Sequence, residues 1–97
     1  MERGGFVYIM SSGRHGTLYI GITSDLVRRV WQHREGETDG FTQKYGIKML
    51  VYFECHNDIA SAIAREKAMK KWSRSWKVRL IEESNPIWRD LWFEIVG

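Results

Sequence analysis

Two short apolar runs, each placing a tyrosine on a β-type alternation, limit what this chain can fold into more than any other feature. They are Phe6-Val7-Tyr8-Ile9-Met10 and Leu18-Tyr19-Ile20-Gly21, with eleven residues from tyrosine to tyrosine. The link Ser12-Gly13-Arg14-His15-Gly16 contains glycine and has hairpin length, so residues 6–11 and 17–22 read as paired strands. A basic helical segment follows at once. In it Arg29 and His33 are spaced i,i+4, so Tyr8, Tyr19, Arg29 and His33 can converge on one edge of a small sheet.

Further along, the periodicity changes. Ser24 is the expected cap of that first helix, with Asp25 in its first turn, where a negative charge suits the helix dipole. The helix runs to about residue 34, with Leu26, Val27, Val30 and Trp31 as its apolar stripe and Arg28, Arg29, Gln32 and His33 on the other side. Residues 36–46 form a polar, glycine-punctuated loop, and Met49-Leu50-Val51-Tyr52-Phe53 reads as a third, buried strand. Asn57 or Asp58 caps a helix over 59–72, and another spans 73–83 and stops before Pro86. Residues 87–96 read as a short helical turn plus a tail that covers the core.

The order ββαβαα implies an α/β (α+β) sandwich: a three-stranded sheet with helices packed on it. The helix between strands two and three lets those two run parallel, so strand one in the middle makes every neighbouring pair antiparallel. No repeat, low-complexity tract or linker interrupts residues 1–97, which read as one domain. A chain of this size buries only ~60–65% of its unfolded surface, and tryptophans at 31, 72, 76, 88 and 92 are expected to serve mostly as core.

Composition narrows the function classes. Cys55 is the only cysteine, which excludes an internal disulfide and argues against a cysteine-based zinc site; within its apolar run it reads as a small hydrophobe. No basic-then-apolar leader opens the chain and no apolar run approaches the ~20 residues that span a bilayer, so a soluble, cytoplasmic protein is expected. The net charge of +3 is unevenly spread: residues 65–79 carry Arg65, Lys67, Lys70, Lys71, Arg74, Lys77 and Arg79 against the single acid Glu66. Such a run is either a solvated helix face or a phosphate-binding one.

Glu66 stands out within it. It falls near the centre of the stripe made by Ile59, Ala62, Ile63 and Met69, where a carboxylate is costly to bury unless it pairs with Arg65 or Lys70 or binds a cation. A lone carboxylate suits Mg²⁺, which keeps several waters and takes phosphate oxygens as partners. Arg29 and His33 can meet the same phosphate, although each is also compatible with a surface or structural role. Tyr8 and Tyr19 alone would be cross-strand or core aromatics.

The motifs together resemble the GIY-YIG nuclease superfamily. Val7-Tyr8-Ile9, or the overlapping Phe6-Val7-Tyr8, stands for a degenerate first tripeptide that keeps the tyrosine, and Tyr19-Ile20-Gly21 is the second; Asp25-Leu26-Val27-Arg28-Arg29, His33 and the helical Glu66 follow in the family order. Gly-Phe-Thr-x-Lys-Tyr at 40–45 and Asn85-Pro86-x-Trp88-x-Asp90-Leu91 look most like the small stand-alone bacterial branch. The resemblance implies a sandwich on an antiparallel three-stranded sheet. It assigns Tyr8, Tyr19, Arg29, His33 and Glu66 to catalysis, with Glu66 holding Mg²⁺ or Mn²⁺ and Tyr8 often the general base. Asn85 matches an asparagine kept near the metal or the core, and here Asn-Pro is equally a helix stop.

The expected activity is metal-dependent hydrolysis of DNA phosphodiester bonds; a nucleic-acid-binding module of the same fold with little or no cleavage is the alternative. Gly21 is expected to let the backbone approach the substrate, and Arg28, Thr42, Lys44, Tyr45, Lys70, Lys71 and Arg74 to hold the DNA backbone. Larger relatives append DNA-reading domains that this chain lacks. Recognition is therefore expected to be of DNA structure or backbone, or to come from a homodimer or partner protein.

Overall fold

The hairpin organises the sheet as its sequence requires. β1 (Gly5–Ser11) pairs antiparallel with β2 (Leu18–Thr23), in register from Phe6 opposite Thr23 to Ser11 opposite Leu18. β3 (Met49–His56) pairs antiparallel with the other side of β1, so the order is β2-β1-β3 with β1 central. The structure, a computed structural model, describes residues 4–37 and 40–97.

Among the described residues five helices complete it: α1 (Leu26–Arg34), α2 (Gly40–Lys44), α3 (Ile59–Lys70), α4 (Arg74–Ser84) and α5 (Trp92–Ile95). The expected architecture holds: α5 is the short helical turn expected within residues 87–96, and α2 is an addition. α2 occupies part of the segment read as loop, two residues of which, Thr38 and Asp39, lie outside the described residues. The α1 cap is Asp25 rather than Ser24: its carboxylate accepts from the Arg28 N–H at 3.1 Å, which satisfies a first-turn donor. Asp58 caps α3 and Ser73 caps α4 in the same way. None of the described helices is long and apolar enough to cross a membrane.

Strand alternation divides the core between the two faces of the sheet. Val7, Ile9, Ile20 and Val51 pack with Ala62 and Met69 of α3, Ile81 of α4, and Trp88. Tyr8, Met10 and Leu50 face the other way, against Leu26 and Val30 of α1, Ile47 and Leu91. Each helix layer therefore rests on its own set of sheet residues, and α1 and α3 lie on opposite faces.

Packing corrects several expectations. Among the tryptophans only Trp88 is fully buried; Trp31 and Trp76 are exposed, and Trp72 and Trp92 are half-buried. Cys55 is exposed, because it lies near the end of an edge strand. On α3 the buried positions narrow to Ala62 and Met69, while Ile59 and Ile63 remain partly outside.

The C-terminal segment is a lock. Asn85 is buried and ends α4 with its N–H on the Ile81 carbonyl at 2.8 Å. Its Nδ2 donates to the carbonyls of Val51 (3.1 Å) and Arg89 (2.8 Å), and its Oδ1 accepts from the Arg89 N–H at 2.9 Å. Asp90 accepts from Leu50 N–H at 3.2 Å and from Arg34 Nη1 at 2.6 Å, tying β3, α1 and the tail together. Asn85 thus has its side chain committed to backbone groups, a structural role rather than one beside a metal.

Candidate active site

Tyr8, Tyr19, Arg29 and His33 do come together, on the α1 face of the sheet. Tyr8 is fully buried, and its hydroxyl shares a hydrogen bond with His33 Nε2 at 3.0 Å, in which the donor is set by the imidazole tautomer. Arg29 Nε donates to the Tyr8 oxygen at 3.3 Å, while its Nη1 donates to Gln32 Oε1 at 3.2 Å. Tyr19 closes the group, its ring centroid 5.2 Å from that of His33 and 6.3 Å from that of Tyr8.

The group exists because α1 is rotated from the orientation its apolar residues suggest. Its inner face is Leu26, Val30 and His33, while Val27 (42% exposed) and Trp31 (44%) point outward. A buried histidine is tolerated because it has a hydroxyl partner. Gln32 completes the orientation of Arg29, a role the sequence did not disclose. Burial lowers the basicity of the Arg29 guanidinium, but hydrogen bonds and charge interactions with Tyr8 and then Tyr19 outweigh it and raise its pKa above the ordinary arginine value.

Gly21 has a steric role within the sheet. It lies within β2 directly opposite Tyr8, and a Cβ there would come within 2.5 Å of the Tyr8 hydroxyl. Glycine here makes room for the Tyr8 side chain.

Glu66 is not part of the same cluster of contacts. It sits on α3, in the opposite helix layer, and pairs with Lys70 Nζ at 3.0 Å; the Glu66 side chain is 15% exposed and that of Lys70 54%. Arg65, the other candidate partner, instead donates to Glu54 at 3.1 Å. Among the described residues no three His, Cys, Asp or Glu side chains gather as a metal-holding cluster. The donor set here is one carboxylate, which fits an ion that takes its other ligands from water and phosphate, as Mg²⁺ does.

With this geometry, comparison with known proteins is decisive. The family model of the GIY-YIG catalytic domain matches residues 4–79. The chain belongs to the GIY-YIG family. It is 37% identical over 82 residues to a UPF0213 protein of Haloquadratum walsbyi, an alignment covering 84% of this chain and 91% of that relative. UPF0213 proteins of Staphylococcus aureus are 36% identical over 78 residues, 80% of this chain and 94% of theirs. The solution NMR structure of a UPF0213 protein from Bacillus halodurans superposes with a TM-score of 0.53 at 28% identity, covering 84% of this chain and 86% of that one. The GIY-YIG domain marks a nuclease family, and the three-stranded antiparallel sheet with its helices agrees with that solved relative.

Around this GIY-YIG domain the remaining candidate contacts separate. Arg28, Lys44, Tyr45, Lys70 and Lys71 are exposed. Lys44 Nζ lies 5.5 Å over the Tyr45 ring, which itself packs on Phe41 at 4.9 Å, giving a small aromatic and cationic surface on α2. Thr42 is buried, because it faces inward from the short α2 and its carbonyl accepts the Ile47 N–H at 2.9 Å; its side chain is not presented to a ligand. Arg74 is exposed but engaged, its Nη2 donating to the carbonyls of His15 (2.8 Å) and Gly16 (2.7 Å) in the β1–β2 turn.

Proposed function

We propose that this chain is a divalent-metal-dependent DNA endonuclease, acting on backbone or structure rather than on a long base sequence. The observation that carries this reading is the Tyr8–Arg29–His33–Tyr19 group: an arginine oriented by a buried tyrosine and Gln32, beside a second tyrosine that reaches solvent. Of the two tyrosines, Tyr8 is enclosed between His33 and Arg29 and acts as the positioning residue, whereas Tyr19 is half-buried and meets the substrate. In this scheme the Tyr19 hydroxyl orients the attacking water toward the scissile phosphate. Arg29 stabilises the negative charge that grows on the phosphoryl oxygens. His33 keeps the Tyr8 hydroxyl, and through it Arg29, in register. Mg²⁺ or Mn²⁺ held by Glu66 would neutralise charge on the phosphate and assist the leaving oxygen.

Glu66 and the tyrosine group occupy different helix layers, so a phosphate served by both would have to reach around an edge of the sheet. Lys70 and Lys71, exposed on α3 and at its end, favour a polyanion and carry no base information. The Glu66–Lys70 pair is the observation that favours the alternative, a DNA-binding domain with little or no cleavage.

One experiment separates them. Purified protein is incubated with single-stranded, duplex, flap and branched DNA, with and without Mg²⁺ or Mn²⁺, alongside Glu66→Gln. The account expects metal-dependent cleavage that Glu66→Gln abolishes while circular dichroism and DNA affinity stay near wild type. Cleavage at full rate by the variant contradicts the metal assignment, and binding without cleavage of any substrate selects the alternative.

A further inference from the structure

Trp72 and Trp76 face each other where α3 hands over to α4, with ring centroids 5.8 Å apart and planes at 73°. They line a cleft of about 330 Å³ together with Arg79, Leu80 and Glu83. Trp76 is 60% exposed, so its large apolar surface adds little to the core and needs another explanation. Two cations lie beside the pair: the Arg65 guanidinium, also bonded to Glu54, is 5.0 Å from the Trp72 ring centroid, and the Arg79 side chain is 82% exposed, with Glu83 at 4.0 Å.

The open face of Trp76 and the exposed Arg79 guanidinium in one cleft match the way single strands are held, with bases stacked on aromatic rings and phosphates on arginine or lysine. The surrounding charge selects among occupants. Residues 65–79 hold seven basic residues against Glu66, which favours a polyanion over an apolar protein segment. Bases in an intact duplex are stacked on each other and have no face to offer. An unpaired base has one.

We propose that the Trp72–Trp76 cleft is a base-stacking site for an unpaired nucleotide, so that the nucleic acid this protein holds carries a single-stranded segment. The proposal deepens the endonuclease reading by naming its substrate class, and it places the site on the α3–α4 layer, apart from Tyr8, Tyr19, Arg29 and His33.

Fluorescence anisotropy in EDTA tests it without any cleavage. Labelled oligothymidylate and an abasic strand of equal length and charge are titrated with wild type, Trp76→Ala and Trp76→Phe. Wild type is expected to prefer oligothymidylate, Trp76→Ala to lose about 10-fold for that strand alone, the scale of one stacked base, and Trp76→Phe to keep most of the preference. Equal affinity of wild type for the two strands overturns the proposal. So does an equal loss for both strands in Trp76→Ala, or a change in oligomeric state with no change in strand affinity. Should Trp76→Ala fail to fold, Trp76→Phe together with the wild-type comparison decides the matter. Because no bond is cut in this assay, its failure is distinguishable from a failure of the endonuclease reading.

Discussion

The two helix layers treat their polar residues in opposite ways. On the α1 face, His33 and Tyr8 are buried and joined to each other and to Arg29 across the sheet–helix boundary. On the α3–α4 face largely covered carboxylates pair locally with more exposed cations, Glu66 with Lys70 and Glu54 with Arg65. Buried polar groups are costly unless satisfied, so the first arrangement fixes geometry tightly. The second is adjustable: Lys70 is more than half exposed and can swing into solvent, leaving the Glu66 carboxylate to a metal. The chemistry proposed here draws on both, with rigid positioning of Arg29 and a carboxylate that can change partners.

Substitutions can break this contrast. The largest effect is expected from Arg29→Ala, which should slow cleavage by ~10²-fold or more, as loss of a donor to transition-state charge does. Arg28→Ala, next to it but exposed, should reduce affinity with little effect on the single-turnover rate. Equal effects on rate would mean that the oriented arginine is not special.

On stability the order should follow burial. His33→Ala removes a buried ring and a partner of Tyr8, for a loss of roughly 2–4 kcal/mol in denaturant unfolding. Lys70→Ala breaks the Glu66 pair and should cost less than about 1 kcal/mol. Similar losses at the two positions would erase the distinction between the layers.

A smaller, pH-dependent effect belongs to the Glu54 bracket. Burial raises the Glu54 pKa, but hydrogen bonds from Tyr52, His56 and Arg65 outweigh it, leaving the folded value below the ordinary 4.5. A depressed carboxylate pKa contributes stability that is present above the unfolded value and lost as pH falls through the folded one. The difference in melting temperature between wild type and Glu54→Gln should therefore be widest near neutral pH and shrink as pH falls below about 4.5. Tyr52 works in the alkaline direction. Its pKa is pushed up to about 12 by burial and by its contact with Glu54, so its contribution persists below the ordinary 10 and fades as pH rises through about 12.

The sheet was legible because its signals are local. Strand alternation and a hairpin-length link place β1 beside β2, and one crossover then puts β3 on the free side of β1. Helix identity was equally local, but helix rotation was not. Val27 and Trp31 looked like core, yet His33 takes the inner face because its Tyr8 partner lies 25 positions away in sequence. The same holds for Gly21, whose purpose is visible only when Tyr8 is seen across the ladder, and for Asn85, whose three backbone partners lie on β3 and in the tail. The Glu66–Lys70 pair, by contrast, is an i,i+4 contact that spacing alone could propose. Thr42 was misplaced because a five-residue helix inside a polar loop gives too short a pattern to show which side is in.

The claim that the α1-face group is the hydrolytic site is tested most directly at Tyr19, which reaches solvent and can lose its hydroxyl without disturbing the Tyr8–His33 hydrogen bond. The measurement is the single-turnover rate of DNA cleavage in Mg²⁺ by wild type and Tyr19→Phe at saturating enzyme, with circular dichroism on the same preparations. The account predicts an unchanged fold and a rate lower by ~10²-fold or more, as expected for loss of a group that positions the reacting water. A folded Tyr19→Phe that cuts at the wild-type rate would contradict it.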